Sequence, residues 1–277
     1  MDGKLLERVL EIVPDCVPDK PEHNPTLYYK TRTVRSGSLV EVECYPVYET
    51  EYRRKLEKVK PTTEAVRIVN DRNARKRFER LAECNFQPGR DCIMTLTYEG
   101  TAPEEEDRCR KDLRNFITRI NRARKKLGLG KCRYMAVLET GKRGRLHHHL
   151  LISGGLDRDT MEQLWGHGYA NCDRIRKTLG GLVTYMTKNF SGKRETGRHR
   201  YMYSRGLKQP TVTVSKTRIS RRQAERIRED ADQWGEAVLR RKYPGLALES
   251  LEIRQSDWLP GGYIYARLRR PTNAKPE

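Results

Sequence analysis

The hydrophobic positions of the chain switch repeatedly between a period of two and a helical period. Residues 1–26 carry one short apolar stripe and then Pro14, Pro18, Pro21 and Pro25, which predicts a loosely ordered arm. Residues 27–45 predict a β-hairpin, with Val34 and Val40 to Cys44 alternating with polar positions around an Arg35-Ser-Gly-Ser38 turn. Its surface would carry Tyr28, Tyr29, Lys30 and Arg32. Pro61 to Glu83 reads as a helix capped by Thr62 or Thr63, with Val66, Val69, Phe78 and Leu81 turned inward.

Cys92 to Tyr98 is β-branched and aliphatic enough to predict a strand. A capping box at Thr101-Ala-Pro-Glu104 then opens a helix running to about Leu127, with Cys109, Leu113, Phe116, Ile117, Ile120 and Leu127 on one side. Lys131–Glu139 predicts a second strand, Gly141-Lys-Arg-Gly144 a turn, and Arg145-Leu-His-His-His-Leu-Leu-Ile152 a third strand. A short helix beginning at Asp159 and a fourth strand over Tyr169–Ile175 follow. Thr178–Phe190 predicts a helix with Leu179, Leu182, Val183, Met186 and Phe190 on one face. Residues 191–209 form a basic loop, and Thr211–Val214 a short strand. Ser220-Arg-Arg-Gln223 is a second capping box, opening a helix with Ile227, Ala231, Trp234 and Val238 inward. Leu251–Arg270 predicts a closing hairpin around Leu259-Pro-Gly-Gly262.

Charge narrows the partners. The 277 residues hold 57 Lys and Arg against 37 acids, a formal net charge of +20. That excess calls for a polyanion, nucleic acid before an acidic membrane surface. No apolar run approaches the roughly 20 residues of a membrane span, and Asp2, Glu7 and Glu11 argue against a signal peptide. Seven cysteines without a Cys-x-x-Cys spacing point to reduced thiols in a cytoplasm and away from a zinc ribbon. No phosphate-loop motif is present, so any helicase must be a separate partner.

The candidate chemistry gathers around the three histidines. On a strand, His147 and His149 point one way and His148 the other, leaving His148 as a core histidine of the opposite face or a further ligand. Two imidazoles on one face can chelate a metal ion, though solvated histidines at a strand edge give the same pattern. Antiparallel pairing across the short turn brings Glu139 beside them. Such a nitrogen and oxygen set suits Mn²⁺, Mg²⁺ or Zn²⁺ as a Lewis acid. Tyr185 and Lys188 lie off the apolar stripe of their helix and near each other. A metal opposite an available tyrosine suggests phosphoryl transfer to Tyr185. Free tyrosine ionises near pH ~10, so Lys188 would have to help. Tyr52-Arg-Arg-Lys55 repeats the Tyr-x-x-Lys spacing, but it precedes the histidines and lacks an apolar helix face.

In order, Ile93-Met-Thr-Leu-Thr-Tyr98, Glu139 with Leu146-His-His-His-Leu-Leu-Ile152, and Tyr185-Met-Thr-Lys188 resemble the three motifs of HUH rolling-circle replication initiators. Leu164-Trp-Gly-His-Gly168 and Ser204-Arg-Gly-Leu-Lys-Gln-Pro210 add to the likeness to replication proteins of phages, plasmids and integrative elements in Gram-positive bacteria. The resemblance covers about residues 61–215. It implies an α+β fold with a central antiparallel sheet flanked by helices, like an RNA-recognition motif. An N-terminal hairpin and helix and a C-terminal helix and hairpin are additions. The expected divisions are an arm over 1–26, accessory hairpin and basic helix over 27–85, the endonuclease domain over 86–215 and the C-terminal addition over 216–277.

It further implies metal-dependent nicking of single-stranded DNA at an origin or hairpin, a 5′-phosphotyrosine on Tyr185, a free 3′-hydroxyl for a host polymerase, and later joining. His147 and His149 become ligands of Mn²⁺ or Mg²⁺, Glu139 a third ligand or support, and Lys188 an assisting base or phosphate contact. Expected DNA contacts are Arg72, Arg75 and Lys76 in the run Asp71-Arg-Asn-Ala-Arg-Lys-Arg-Phe-Glu-Arg80, Arg143 and Arg145 before the histidines, and Arg198 and Arg205 in the basic loop. A host helicase is implied, the bacterial cytoplasm is the expected location, and no membrane partner is. A single-tyrosine HUH transposase or relaxase-like strand transferase shares these motifs, and a non-catalytic basic DNA-binding protein is the remaining alternative. A histidine-triad hydrolase would continue the alternation, but position 151 is Leu.

Overall fold

The computed structural model describes residues 27–48, 63–100, 103, 105–141, 145–176, 178–188, 200–255 and 261–271. The predicted arm over 1–26, Tyr52-Arg-Arg-Lys55, Thr62, the Thr101 and Glu104 ends of the first capping box, Arg143, Phe190, Arg198 and the Leu259-Pro260 turn lie outside them. The elements run β1 (Leu27–Ser36), β2 (Leu39–Tyr48), α1 (Thr63–Asn85), β3 (Cys92–Thr97), α2 (Glu106–Lys126), β4 (Tyr134–Thr140), β5 (Leu146–Ile152), α3 (Arg158–Gln163), β6 (Ala170–Arg174), α4 (Leu179–Thr187), β7 (Met202–Tyr203), β8 (Thr211–Ser215), α5 (Arg221–Glu229), α6 (Glu236–Lys242), β9 (Ala247–Gln255) and β10 (Gly262–Arg269). The chain is α+β, with two antiparallel five-stranded sheets and flanking helices. Two compact units carry them, residues 70–209 and residues 1–69 with 210–277.

In the unit of residues 70–209 the strand order is β6-β3-β5-β4-β7. The alternation Met94, Leu96 against Thr95, Thr97 sends one set of side chains to each face. One face is closed. Met94, Leu96, Ala136, Leu138, Leu150 and Ile152 pack on Leu113, Phe116 and Ile120 of α2 and on Trp165. On the other face, Met135, Val137 and Leu151 of β4 and β5 pack on Phe78, Leu81 and Phe86 of α1 and Leu179, Val183 and Met186 of α4. That cover stops short of the β3–β6 side, where Ile93, Thr95 and Thr97 are half-buried and Asn171 and Asp173 exposed.

In the other unit the order is β8-β1-β2-β10-β9. The N-terminal and C-terminal hairpins, read as separate additions, meet edge to edge, Cys44 of β2 lying opposite Ile264 of β10. Their shared face packs Val42, Cys44, Ile264 and Ala266 on Ile227 and Leu239.

Several expectations need correction. Tyr29 is not a surface residue: it is buried in this core, and its hydroxyl accepts the Gly262 N–H at 3.2 Å. Val66 is exposed, and Leu127 is 63 % exposed because α2 ends at Lys126 and the chain turns away at Gly128. The helix expected beyond Ser220 is broken. Its capping box forms as predicted, but Asp230 is extended and caps a π-helical turn over Ala231–Gly235. The turn shifts the helical phase, leaving Trp234 half-buried and bringing in Leu239. Of the seven cysteines, Cys44, Cys84, Cys92, Cys109, Cys132 and Cys172 are free thiols, and Cys16 lies outside the described residues. Among the described residues no helix is long and apolar enough to cross a membrane.

Candidate active site

Strands β4 and β5 pair in register across their turn, so Glu139 stands directly opposite His147 and Val137 opposite His149. Side-chain alternation then places Glu139, His147 and His149 on one face. Glu139 Oε2 lies 3.3 Å from His149 Nε2 and 3.9 Å from His147 Nε2. One ligand atom from each of the three residues falls within 4.8 Å of the others. The rings of His147 and His149 meet edge to face, 4.8 Å between centroids.

Hydrogen bonds from the far side orient both imidazoles. The Thr95 hydroxyl is 3.2 Å from His149 Nδ1, because Thr95 is the cross-strand partner of His149 on β3. The Arg145 carbonyl is 3.3 Å from His147 Nδ1. Each contact leaves Nε2 toward Glu139, the arrangement by which outer partners aim a metal-binding imidazole. His149 Nε2 is buried without a well-aligned hydrogen bond. Burial first, and then the charge of His147, lowers the His149 pKa to about 4, against an opposing pull from Glu139. The ring is therefore neutral at neutral pH, with a lone pair available. A buried Glu-His-His group of this kind could bind a metal ion.

The C-terminal end of α4 completes the cluster. Its apolar side, Leu179, Val183 and Met186, is buried, which leaves Tyr185 47 % exposed on the flank. The Tyr185 ring lies 5.2 Å from that of His149 between centroids. Lys188, at the end of the helix, places its ammonium 4.4 Å from the Tyr185 ring centroid and 3.0 Å from Glu139 Oε1. The bond to Glu139 holds the Lys188 pKa above its ordinary value, so this side chain is a cation and not a base. Arg75 of α1 donates to the Lys188 carbonyl at 3.4 Å.

His148 points away from the cluster. It is fully buried in the closed core, its ring 5.9 Å from Trp165 and 6.3 Å from Tyr98 between centroids. Neither ring nitrogen has a well-formed hydrogen bond, and a loose contact with the Cys109 backbone only partly opposes burial, which lowers the pKa to about 3. The core position read for it is occupied, but without the hydrogen bond expected there.

Trp165 anchors that core through its indole N–H, which donates to the Thr97 carbonyl at 3.0 Å. Gly168 follows with φ 135°, and a Cβ there would lie 2.3 Å from the Glu99 nitrogen, so the Leu164–Gly168 segment needs glycine at its end. Ser204 caps the β4 edge, its hydroxyl accepting the Tyr134 N–H at 3.2 Å.

The structure thus brings Glu139, His147, His149, Tyr185 and Lys188 together and ties Arg75 to the end of α4. Arg145 and Arg205 are exposed, and Arg72 and Lys76 are half-buried on α1. Sequence reasoning missed Thr95, although a threonine on the histidine-facing side of an otherwise buried strand was a usable signal.

Residues 91–190 match a family of replication-associated proteins, the ORF2 type, over a span from β3 through α4 that includes all five clustered residues. This similarity supports a replication initiator. No curated protein and no solved structure matches the chain.

Proposed function

We propose that the protein is a rolling-circle replication initiator of the HUH kind, which nicks and rejoins single-stranded DNA through Tyr185. The observation that carries the proposal is the convergence of Glu139, His147 and His149 with Tyr185 and Lys188 at one end of the sheet. The buried, unpaired His149 Nε2 and its carboxylate neighbour fit a divalent ion held by His147, His149 and Glu139. Mn²⁺ or Mg²⁺ is the expected ion, and when bound it supplies Lewis-acid polarisation of a phosphate oxygen.

The protein's own groups have distinct tasks. The Tyr185 oxygen attacks the scissile phosphorus, and its proton passes to solvent. The bond from phosphorus to the 3′ oxygen breaks, and that oxygen takes up a proton to become a free 3′-hydroxyl. The 5′ side stays on Tyr185 as a phosphodiester, so the reverse attack by a 3′-hydroxyl rejoins the strand without an external energy source. Lys188, a cation beside the Tyr185 ring, stabilises negative charge on the phenolate and phosphate. Thr95 and the Arg145 carbonyl hold the imidazoles in place. Arg72, Arg75, Lys76, Arg145 and Arg205, together with Arg143 and Arg198, supply phosphate contacts. DNA is the polyanion that a formal charge of +20 serves, and a host helicase and polymerase complete the cycle in the bacterial cytoplasm. Replication is favoured over transposition by the replication-associated family match.

The test incubates the full chain with labelled single-stranded DNA from the region flanking its coding sequence, with Mn²⁺, and runs a denaturing gel. Wild type should form a covalent adduct that a chelator abolishes and that Tyr185→Phe cannot form. No adduct on any origin segment would end the nickase reading, and an adduct in Tyr185→Phe would end this choice of nucleophile. Cleavage restricted to hairpin element ends would favour a transposase.

A further inference from the structure

The face that carries the candidate site is only half roofed, and the open half holds an aromatic side chain with no structural partner. Tyr169 immediately precedes β6. Its carbonyl accepts the Thr97 N–H at 2.8 Å, continuing the β3–β6 ladder one step beyond Leu96 opposite Ala170. Thr97 in turn lies opposite His147, and His147 opposite Glu139. One cross-strand row therefore reads Tyr169, Thr97, His147, Glu139, and alternation puts Tyr169 on the face of the cluster with Asn171. Two strand spacings, roughly 10 Å, separate its backbone from that of His147.

Tyr169 is 73 % exposed, the most exposed large hydrophobic side chain among the described residues. No hydrogen bond, ion pair or ring contact of its side chain is present. The floor beside it is polar and accessible: Thr97 and Thr95 are half-buried and Asn171 is exposed. A bare ring above hydroxyls and an amide, on a protein of formal charge +20, matches an unpaired nucleobase, which offers a π face and polar edges while its backbone remains anionic. A duplex keeps its base faces stacked inside and offers this ring nothing comparable.

We infer that Tyr169 is a base-stacking platform for single-stranded DNA, holding a nucleotide beside the one whose phosphate is cut. This placement relative to the cut rests on the nicking proposal; the stacking itself does not. Stacking requires the ring and not the hydroxyl, so phenylalanine and tryptophan serve at this position and alanine does not.

The experiment measures binding of a fluorescent single-stranded oligonucleotide to the full chain by anisotropy, in chelator so that nothing is cut. Tyr169→Ala should weaken binding about tenfold, within the range for losing one base–aromatic stack, while Tyr169→Phe and Tyr169→Trp bind like wild type. The salt dependence should be unchanged, because no phosphate contact is lost. In a scan of abasic oligonucleotides, one position should erase the difference between wild type and Tyr169→Ala. Equal binding by Tyr169→Ala overturns the inference, as does a loss in Tyr169→Phe as large as in Tyr169→Ala, or a difference that survives every abasic position. Adduct formation is read separately. If wild type forms no adduct yet Tyr169→Ala loses affinity, the nicking proposal fails and the stacking platform stands.

Discussion

His147 and His149 lie on one face of β5 and His148 on the other, so a single strand shows how differently the same side chain behaves in two surroundings. His148 and His149 are both buried, and burial drives the pKa of both well below the ordinary histidine value, to about 3 and about 4. Burial therefore does not distinguish them. Around His148 are the rings of Trp165 and Tyr98 and a closed apolar core. Around His149 are the Thr95 hydroxyl, the Glu139 carboxylate, a second imidazole and the Tyr185 ring. A neutral, dry imidazole becomes a candidate ligand when other donors converge on its free nitrogen, and a core residue when none do.

The sharpest way to break this comparison is to remove one histidine at a time. His149→Ala should reduce adduct formation by at least about 100-fold, since loss of even an outer support commonly costs 10–100-fold in a metal site. His148→Leu should leave the rate at neutral pH unchanged. If the two variants lose activity equally, the two faces are not functionally distinct.

A second contrast lies in stability against pH. A histidine whose folded pKa falls below its unfolded value of about 6.5 costs nothing above that pH. As pH falls, the unfolded chain takes up a proton that the folded chain refuses, so stability drops from about pH 6.5 toward the folded pKa, by up to about 1.4 kcal/mol per pH unit for each such histidine. Denaturant melts of the metal-free protein between pH 7 and pH 4 should show this acid loss, and His148→Leu should flatten it. An unchanged slope would contradict the buried, neutral state of His148.

Outer support comes next. Thr95→Val keeps the strand but removes the hydroxyl from His149 Nδ1, and should weaken Mn²⁺ dependence about 10-fold in a metal titration of adduct formation. The smallest effect should come from Trp165→Phe on the closed face, about 1 kcal/mol of stability from the lost hydrogen bond to the Thr97 carbonyl. Its rate at neutral pH should hold.

The sequence made the first half of this picture legible because the relevant signals are local. Alternation separates His148 from its neighbours, and a short turn between two strands sets Glu139 opposite His147. The apolar stripe of α4 leaves Tyr185 on its flank. Those placements follow from the sequence, while the roles of the residues remain proposals. What was not legible depends on distant partners. Nothing near Val42 announces that it will pair with Ala266, and nothing near Thr95 announces that its cross-strand neighbour is His149. Tyr29 reads like a surface tyrosine until that distant pairing buries it. The break at Asp230 was missed for a different reason: its capping side chain competes with a helix that the hydrophobic period alone would continue.

The central claim, that Tyr185 is the covalent nucleophile of this cluster, is tested most directly by mapping the adduct. Wild-type protein is reacted with single-stranded origin DNA and Mn²⁺, treated with nuclease and protease, and the modified peptide is read by mass spectrometry. The account predicts a nucleotide remnant on Tyr185 alone. A remnant on another exposed tyrosine, Tyr169 or Tyr203, or no remnant on any tyrosine of a protein that cleaves, would contradict it.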